Sequence, residues 1–233
     1  MADAIQASMS ELQKKAEQQQ EFINDLSHEL KTPVTSILLS SETLLGRSVP
    51  KAALERSLER IYSQAKWLEK LSQKLTTLIL LRGEISMRQE SVMDLLLAVR
   101  ETTADSLQKR GVELTIDCGM SFLKMDFDLM RSALANLVEN AKNASEPGQR
   151  IVLSAYDGCF EVSDSGTGIP PEEVARVTEP FYRVDRSRSR LSGGSGLGLT
   201  LVKRIAEAHG ARLEIVSEPG KGTTVRFLFD QHK

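Results

Sequence analysis

The sequence predicts an all-α helical hairpin followed by an α+β sandwich of a mixed sheet and helices. Glycine is rare up to about residue 86, where only Gly46 and Gly83 occur, although the chain of 233 residues contains 15 glycines. Apolar residues recur with heptad spacing in this first part. In the remainder, short alternating segments are interspersed with helical ones. The length suits one large domain or two smaller ones, and the change in composition predicts a domain boundary near residues 84–90.

Two heptad seams predict the hairpin. Within each seam, steps of four and three residues alternate, and the breaker-rich stretch GRSVP (46–50) separates the seams as a turn. The first seam comprises Ile5, Met9, Leu12, Ala16, Gln19, Ile23, Leu26 and Leu30, and the second comprises Leu54, Leu58, Ile61, Ala65, Leu68, Ser72, Leu75 and Ile79.

The apolar stripe of the second helix is wider than a two-stranded seam requires, because Trp67, Leu71, Leu78 and Leu81 flank it. One hairpin cannot cover this stripe. Two hairpins paired as a four-helix bundle would cover it, so we expect a homodimer.

The second part alternates between strand and helix signals. Ser91 and Gly111 cap a predicted helix over 91–111. The pairs Asp157-Gly158 and Pro219-Gly220 predict the turns of two hairpins. In chain order we expect a strand over about 84–90, the helix 91–111, a strand 112–117, a helix 126–145, the hairpin 151–156/159–164, a loop to about 195, a helix from about 196 to 209 ending at Gly210, and the hairpin 212–218/223–229.

Composition excludes several functions. The net charge of −2 and pI near 6.0 give no electrostatic basis for binding nucleic acid or an anionic membrane. No window approaches the ~18 apolar residues of a membrane span, and the first residues lack a signal-peptide pattern. Cys118 and Cys159 have no metal-ligand spacing, which favours reduced thiols over a disulfide.

The stretch LSHELKTPV (26–34) concentrates reactive groups on the first predicted helix. His28 lies opposite the seam, and Thr32 shares its face at i+4. Glu29 is an adjacent candidate base, and Pro33 removes a helix hydrogen bond and strains the backbone there. A solvent-exposed histidine of no function is the alternative; the combination favours a nucleophile for a substrate delivered from outside.

Four features of the second part suggest a nucleotide site. Asn136 and Asn140 share a helix face around Glu139 and offer oxygen ligands to Mg²⁺, although solvated or capping asparagines are equally consistent. In DSGTGIP (164–170), Asp164 can accept from an exocyclic amine, or form an Asx turn.

The third feature is GGSGLGL (193–199), whose glycines open a helix and can expose N–H groups to phosphate, or form a flexible loop. It fits neither the Rossmann nor the P-loop pattern. The fourth feature is EPFYR (179–183), inside the polar loop that precedes these glycines and that we interpret as a lid. Its aromatic pair can anchor the loop, as Phe181 would, and Arg183 can meet phosphate. Arg183, Arg186, Arg188 and Arg190 are candidate phosphate contacts.

Together these motifs resemble those of sensor histidine kinases, over about residues 20–230. The five matching segments, in family order, are FINDLSHELKTPV (22–34) for the H box, NLVENAKNAS (136–145) for the N box, DSGTGIP for the G1 box, EPFYR for the F box and GGSGLGL for the G2 box. The resemblance implies a signalling coiled coil over 1–20, a dimerisation and phosphotransfer hairpin over 21–86, and a catalytic ATP-binding domain of the GHKL type over 87–233.

The resemblance also implies residue roles in ATP binding. Asp164 would accept from the adenine amine, with Gly166 and Gly168 shaping that pocket. Asn140, helped by Asn136, would hold Mg²⁺ on the phosphates. The lid glycines that would wrap the triphosphate are Gly194, Gly196 and Gly198, and Arg183 would neutralise charge on the γ-phosphate.

For the phosphorylated residue, the resemblance implies that His28 attacks the γ-phosphorus while Glu29 takes a ring proton. The phosphohistidine would pass its phosphoryl group to an aspartate of a response regulator. Thr32 would position a water for dephosphorylating that regulator. The implied setting is the cytoplasmic portion of a larger membrane-bound sensor.

One position departs from the family pattern. Many relatives have a lysine three residues after the second N-box asparagine, but Asn143 stands there, and Lys142 lies one place before it. Either Lys142 turns inward or other cations meet the phosphates. Two alternative functions stay open: an ATP-binding dimeric regulatory module without kinase activity, and a GHKL ATPase in which Glu139 activates water.

Overall fold

The computed structural model describes residues 2–45, 49–81, 83–184 and 194–229. The chain forms two compact units, Met1–Gln73 and Lys74–Lys233. The hairpin predicted to end at residue 86 extends past the first unit, since its second helix, over 51–80, begins in the first unit and continues into the second.

Two long helices, α1 (Ala2–Leu44) and α2 (Lys51–Leu80), account for the predicted hairpin sequence. The centre of the predicted turn, residues 46–48, lies outside the described residues. The helix α1 continues through Pro33 without ending. Apolar members of both predicted seams, including Met9, Leu12, Ile23, Leu54 and Leu58, are exposed in the single chain. These two helices therefore present an apolar surface that the chain itself does not bury.

The second unit contains seven strands and four helices within its described residues. The strands are β1 (Arg88–Ser91), β2 (Glu113–Cys118), β3 (Phe122–Met125), β4 (Arg150–Tyr156), β5 (Cys159–Asp164), β6 (Ala211–Glu218) and β7 (Gly222–Phe229). The helices are α3 (Val92–Arg110), α4 (Phe127–Ala144), the single turn α5 (Pro171–Val174) and α6 (Gly198–Ala208).

The main sheet has the strand order β2-β4-β5-β7-β6. The β2–β4 pair is parallel and the other three pairs are antiparallel, so the sheet is mixed, as predicted. The strands β1 and β3 form a separate antiparallel pair. An all-α segment followed by a mixed sheet with helices confirms the predicted fold class.

One face of the sheet packs against α3, α4 and α6. Phe160 and Phe227 are paired across β5 and β7 and are fully buried in this core. The neighbouring pair in the register, Glu161 and Arg226, lies on the opposite face, because side chains alternate along a strand. There Arg226 forms ion pairs with Glu161 at 2.6 Å and with Glu214 at 3.2 Å. The helices therefore cover one face, and a cross-strand charge network occupies the other.

Local caps set the helix ends. Ser91 Oγ accepts from the N–H of Asp94 at 3.3 Å, and Gly111 adopts a left-handed φ of 71° at the end of α3. Asp126 caps α4 by accepting from the N–H of Leu129 at 3.1 Å. These caps confirm the predicted ends of both helices.

The strand predicted over 84–90 is shorter in the structure, where β1 covers only Arg88–Ser91. The prediction missed β3, and it missed the helical turn α5 inside the loop that follows residue 165. The pairing of β1 with β3 joins two four-residue segments that are distant in sequence. Such short strands depend on each other and not on a local repeat, which explains why the sequence pattern did not indicate β3.

Candidate functional site

Asp164 ends β5 and is half-buried. Its Oδ1 accepts from the N–H of Gly166 at 2.8 Å. Burial raises the pKa of this carboxyl group, and hydrogen bonds from the N–H groups of Gly166 and Thr223 counteract part of that effect. The carboxylate is thus held by two backbone donors at the end of a central strand. Such a group is suited to recognising a single polar ligand group.

The glycines after Asp164 are required by close backbone contacts. A Cβ on Gly166 would lie 2.4 Å from the carbonyl oxygen of Ala144, at the end of α4. Gly168 has a φ of 67°, and a Cβ there would lie 2.1 Å from the carbonyl oxygen of Glu218. The loop is therefore confined between the end of α4 and the β6–β7 turn, where a side chain would force the backbone apart.

Asn136 and Asn140 direct their amide oxygens to one point beside α6. That point is where a Cβ on Gly198 would stand: the Oδ1 atoms of Asn136 and Asn140 lie 3.4 Å and 3.7 Å from it. The Nδ2 of Asn136 donates to the carbonyl oxygen of Ser132 at 2.8 Å, which leaves its Oδ1 to face the other way. The predicted pair of asparagines thus lies together with one of the predicted lid glycines.

This arrangement fits a divalent cation bound to phosphate. Amide oxygens are hard ligands of the kind Mg²⁺ prefers, and Gly198 leaves space beside them. Among the described residues, no group of three or more His, Cys, Asp or Glu side chains is placed to hold a metal ion. An ion on Asn136 and Asn140 would therefore need further oxygens from water or a bound anion. Leu197, at the start of α6, provides no side-chain cap, so the first N–H groups of this helix suit that anion.

The predicted lid begins in an unusual backbone conformation. Phe181 has a φ of 60°, and its N–H donates to the carbonyl oxygen of Gly196 at 3.0 Å. Gly196 has a φ of 69°, and a Cβ there would lie 2.6 Å from the backbone of Phe181. Arg183 follows and is half-buried. The start and the end of the lid are thus joined by their backbones, which brings Arg183 and the glycine segment into the same region of the chain.

Part of the predicted lid lies outside the described residues. This part includes Arg186, Arg188, Arg190 and Gly193, so their predicted phosphate contacts stay predictions. Gly194 is half-buried at the point where the description resumes.

Lys142 and Glu139, whose roles the sequence left open, form an ion pair. The Nζ of Lys142 lies 2.5 Å from Glu139 Oε2, and Ser106 on α3 donates its hydroxyl to the other oxygen of Glu139. The spacing of three residues places the two side chains together on α4. Through Glu139, the pair therefore links α4 with α3, and the charge of Lys142 is directed at this carboxylate.

One cation near the asparagines was not predicted. The Nζ of Lys74 lies 3.5 Å from the point that a Cβ on Gly198 would occupy, the same point that Asn136 and Asn140 face. The heptad spacing gave no indication of this position, because the contact joins residues more than one hundred positions apart in sequence.

The predicted nucleophile lies on α1 of the first unit. His28 is exposed, and Glu29 is half-buried. The hydroxyl of Thr32 donates to the backbone carbonyl oxygen of His28 at 3.4 Å, which places it one turn along the same side of the helix. An exposed imidazole with a neighbouring carboxylate is accessible to a substrate held by another part of the protein.

Comparisons with known proteins match both units. Residues 18–80 match the family model of the His Kinase A (phospho-acceptor) domain. Residues 125–233 match that of the histidine kinase-, DNA gyrase B- and HSP90-like ATPases. The chain belongs to the sensor histidine kinases. His28 falls in the phospho-acceptor match, and Asn136, Asn140 and Asp164 fall in the ATPase match.

Curated sensor histidine kinases align along most of this chain. The sensor histidine kinase YkoH of Bacillus subtilis is 36% identical over 221 residues, which cover 92% of this chain and 48% of YkoH. The sensor protein SrrB of Staphylococcus aureus is 32% identical over 216 residues, which cover 88% of this chain and 36% of SrrB. The chain therefore spans about half, or less, of the length of these relatives.

A solved structure of the family supports the same fold. The crystal structure of full-length ShkA in complex with AMPPNP superposes with a TM-score of 0.64 at 26% identity, covering 89% of this chain and 45% of ShkA. Within the part of this histidine kinase that the structure describes, no helix is long and apolar enough to cross a membrane.

Proposed function

We propose that this chain is an ATP-dependent histidine autokinase that passes its phosphoryl group to an aspartate of a response-regulator receiver domain. The arrangement of Asn136, Asn140 and Gly198 around one point carries the proposal. It would provide a phosphate and cation site in the domain that matches the ATPases. His28 would be the exposed acceptor in the phospho-acceptor domain.

The residues of the second unit suit ATP. Asp164, held by backbone donors, would accept from the exocyclic amine of adenine, and Gly166 and Gly168 keep that loop free of side chains. Gly194, Gly196 and Gly198 would follow the triphosphate at the start of α6. Arg183 would contribute positive charge at the γ-phosphate. The AMPPNP bound to the related ShkA is an analogue of the same nucleotide.

Mg²⁺ fits the same site. Asn140 would be its direct protein ligand, and Asn136 would support it. When bound, the ion neutralises charge on the phosphates during transfer.

The proposed reaction forms one bond and breaks another. A ring nitrogen of His28 attacks the γ-phosphorus, the P–O bond to the leaving group breaks, and ADP departs with the electron pair. Glu29 accepts the proton from the other ring nitrogen, which strengthens the nucleophile. The phosphohistidine then donates its phosphoryl group to an aspartate carboxylate. In the opposing phosphatase activity, Thr32 would position the water that hydrolyses the phosphoaspartate of the receiver domain.

The exposed apolar seams of α1 and α2 support a homodimer as the working unit, in which two hairpins form a four-helix bundle. Since the aligned region covers less than half of YkoH, this region would be the cytoplasmic signalling portion of a longer sensor, attached to a membrane through an upstream segment. Nucleic acid has no place in this scheme.

The time course of ADP release distinguishes the autokinase from a GHKL ATPase. With Mg-ATP in excess, the autokinase is expected to release ADP in a burst that is stoichiometric with protein and absent from His28→Gln. Steady ATP turnover that persists in His28→Gln would support the ATPase instead. ATP binding without any ADP release would support the regulatory module.

A further inference from the structure

Lys74 lies on the last part of α2, where that helix belongs to the second compact unit. Further along the same helix, Leu78 packs against the hydrophobic core of this unit, and Leu81 does so directly after it. These contacts fix the end of the helix against the ATPase-like domain. The side chain of Lys74 is half-buried, in agreement with a position inside this unit and not in solvent.

The ammonium group of Lys74 shares the site of the two asparagines. Its Nζ, the Oδ1 of Asn136 and the Oδ1 of Asn140 lie 3.5, 3.4 and 3.7 Å from the single point where a Cβ on Gly198 would stand. An ammonium group donates three hydrogen bonds and accepts none, so it pairs with amide or phosphate oxygens. Lys74 therefore places a positive charge at the region proposed for the triphosphate.

Binding of a triphosphate by this domain is favoured by a positive charge near the phosphates. Asn143 stands where many relatives have a lysine, and Lys142 forms an ion pair with Glu139 at 2.5 Å. A magnesium-bound triphosphate keeps a net negative charge, so a nearby ammonium group is attracted to it. Lys74 can meet this requirement from a different element of the fold.

We propose that Lys74 binds the terminal phosphates of the nucleotide and replaces the lysine missing from position 143. This inference rests on the proposed function of the site. It makes the end of the hairpin helix part of nucleotide recognition. The residue is expected to select for nucleotides with β- and γ-phosphates over those that lack them.

The test measures nucleotide affinity by calorimetry on the full chain with Mg²⁺. Lys74→Met keeps the length of the side chain and removes its charge. We expect it to weaken ATP binding about 10- to 100-fold, the loss typical of a charge-assisted hydrogen bond, while AMP affinity changes little. Lys74→Arg should retain most of the ATP affinity. Lys70→Met, an exposed lysine one turn earlier, is the matched control and should bind ATP as the wild type does.

Three outcomes in Lys74→Met would overturn the inference while leaving the proposed function intact. Unchanged ATP affinity in Lys74→Met would show that Lys74 does not meet the phosphates. Tighter binding would show that Lys74 instead competes with Mg²⁺ for the asparagines. An equal loss for ATP and AMP would show a structural role only. Failure of the wild type to bind ATP at all would contradict the proposed function itself, and this inference with it.

Discussion

Gly166 donates its N–H to Asp164 Oδ1 over 2.8 Å, and the same glycine lies so close to Ala144 that a Cβ would stand 2.4 Å from its carbonyl oxygen. The carboxylate is therefore positioned by a loop that is itself confined against the end of α4. This relationship connects Asp164, the proposed base-reading group, with the helix that carries Asn136 and Asn140. The two ends of the proposed nucleotide site are therefore both positioned by α4.

Asp164→Asn is expected to weaken ATP binding about tenfold or more, because an amide cannot reproduce the charged acceptor for the adenine amine. An asparagine can instead donate to a 6-oxo group. The preference for ATP over inosine triphosphate should therefore shrink in Asp164→Asn. Competition binding with the two nucleotides measures this preference. Asp117→Asn, on an exposed position of β2, is the control. An unchanged preference would argue against Asp164 as the base-reading group.

The stability of the chain should depend on pH through Asp164. Burial raises the pKa of this group above its ordinary value of 3.8. The protonated carboxyl group therefore favours folding, and its contribution is present below the ordinary value and lost as pH rises through the folded-state pKa. Relative to Asp164→Asn, the wild type should lose stability from acidic to neutral pH. Urea unfolding of both proteins across this range measures the difference, and a constant or opposite trend would contradict the assignment.

Gly198→Ala should separate nucleotide binding from folding. The new methyl group would lie 3.4 Å from Asn136 Oδ1 and would fill the space proposed for the phosphates and cation. Gly198 is the first residue of α6 and does not have a left-handed φ, so alanine adds no backbone strain and the melting temperature should not fall. We expect markedly weaker Mg-ATP binding. Gly119→Ala, whose Cβ would make an ordinary contact of 3.6 Å with Ala155, is the control. Normal ATP affinity in Gly198→Ala would place the phosphates elsewhere.

Thr32→Ala should uncouple the two proposed activities of the hairpin. The hydroxyl of Thr32 donates to the backbone carbonyl oxygen of His28 at 3.4 Å, within the same helix. Its removal should therefore leave α1 and autophosphorylation intact. Hydrolysis of a phosphorylated receiver domain that accepts label from this chain should become much slower. Thr32→Ser, which keeps the hydroxyl, should retain most of that hydrolysis. Equal loss of autophosphorylation and hydrolysis would show that Thr32 has no separate role.

Features encoded locally were predictable from the sequence. The caps at Ser91 and Gly111 and the turn at Asp157-Gly158 depend on the backbone preferences of neighbouring residues, and the structure has each in its predicted place. The spacing of Asn136 and Asn140 also predicted their common direction, since residues four apart share a helix face.

Features that join distant segments were not predictable. The ring of His209 accepts the N–H of Asp126 at 3.0 Å through Nε2, and its Nδ1 bonds with the carbonyl oxygen of Ile205 at 2.8 Å, linking the end of α6 to the start of α4. At this helix end, the sequence pattern indicates only the terminating Gly210. The position of Lys74 beside Gly198 is a second case, because it arises from tertiary packing of the helix end.

Autophosphorylation at His28 can be measured with γ-labelled ATP. Wild type and His28→Gln are incubated with Mg²⁺, and the labelled protein is then treated with acid or alkali. We predict label on the wild type that is lost in acid and stable in alkali, the behaviour of a P–N bond, and no label on His28→Gln. Label that persists in His28→Gln, or a wild type that binds ATP and takes up no label, would contradict the account.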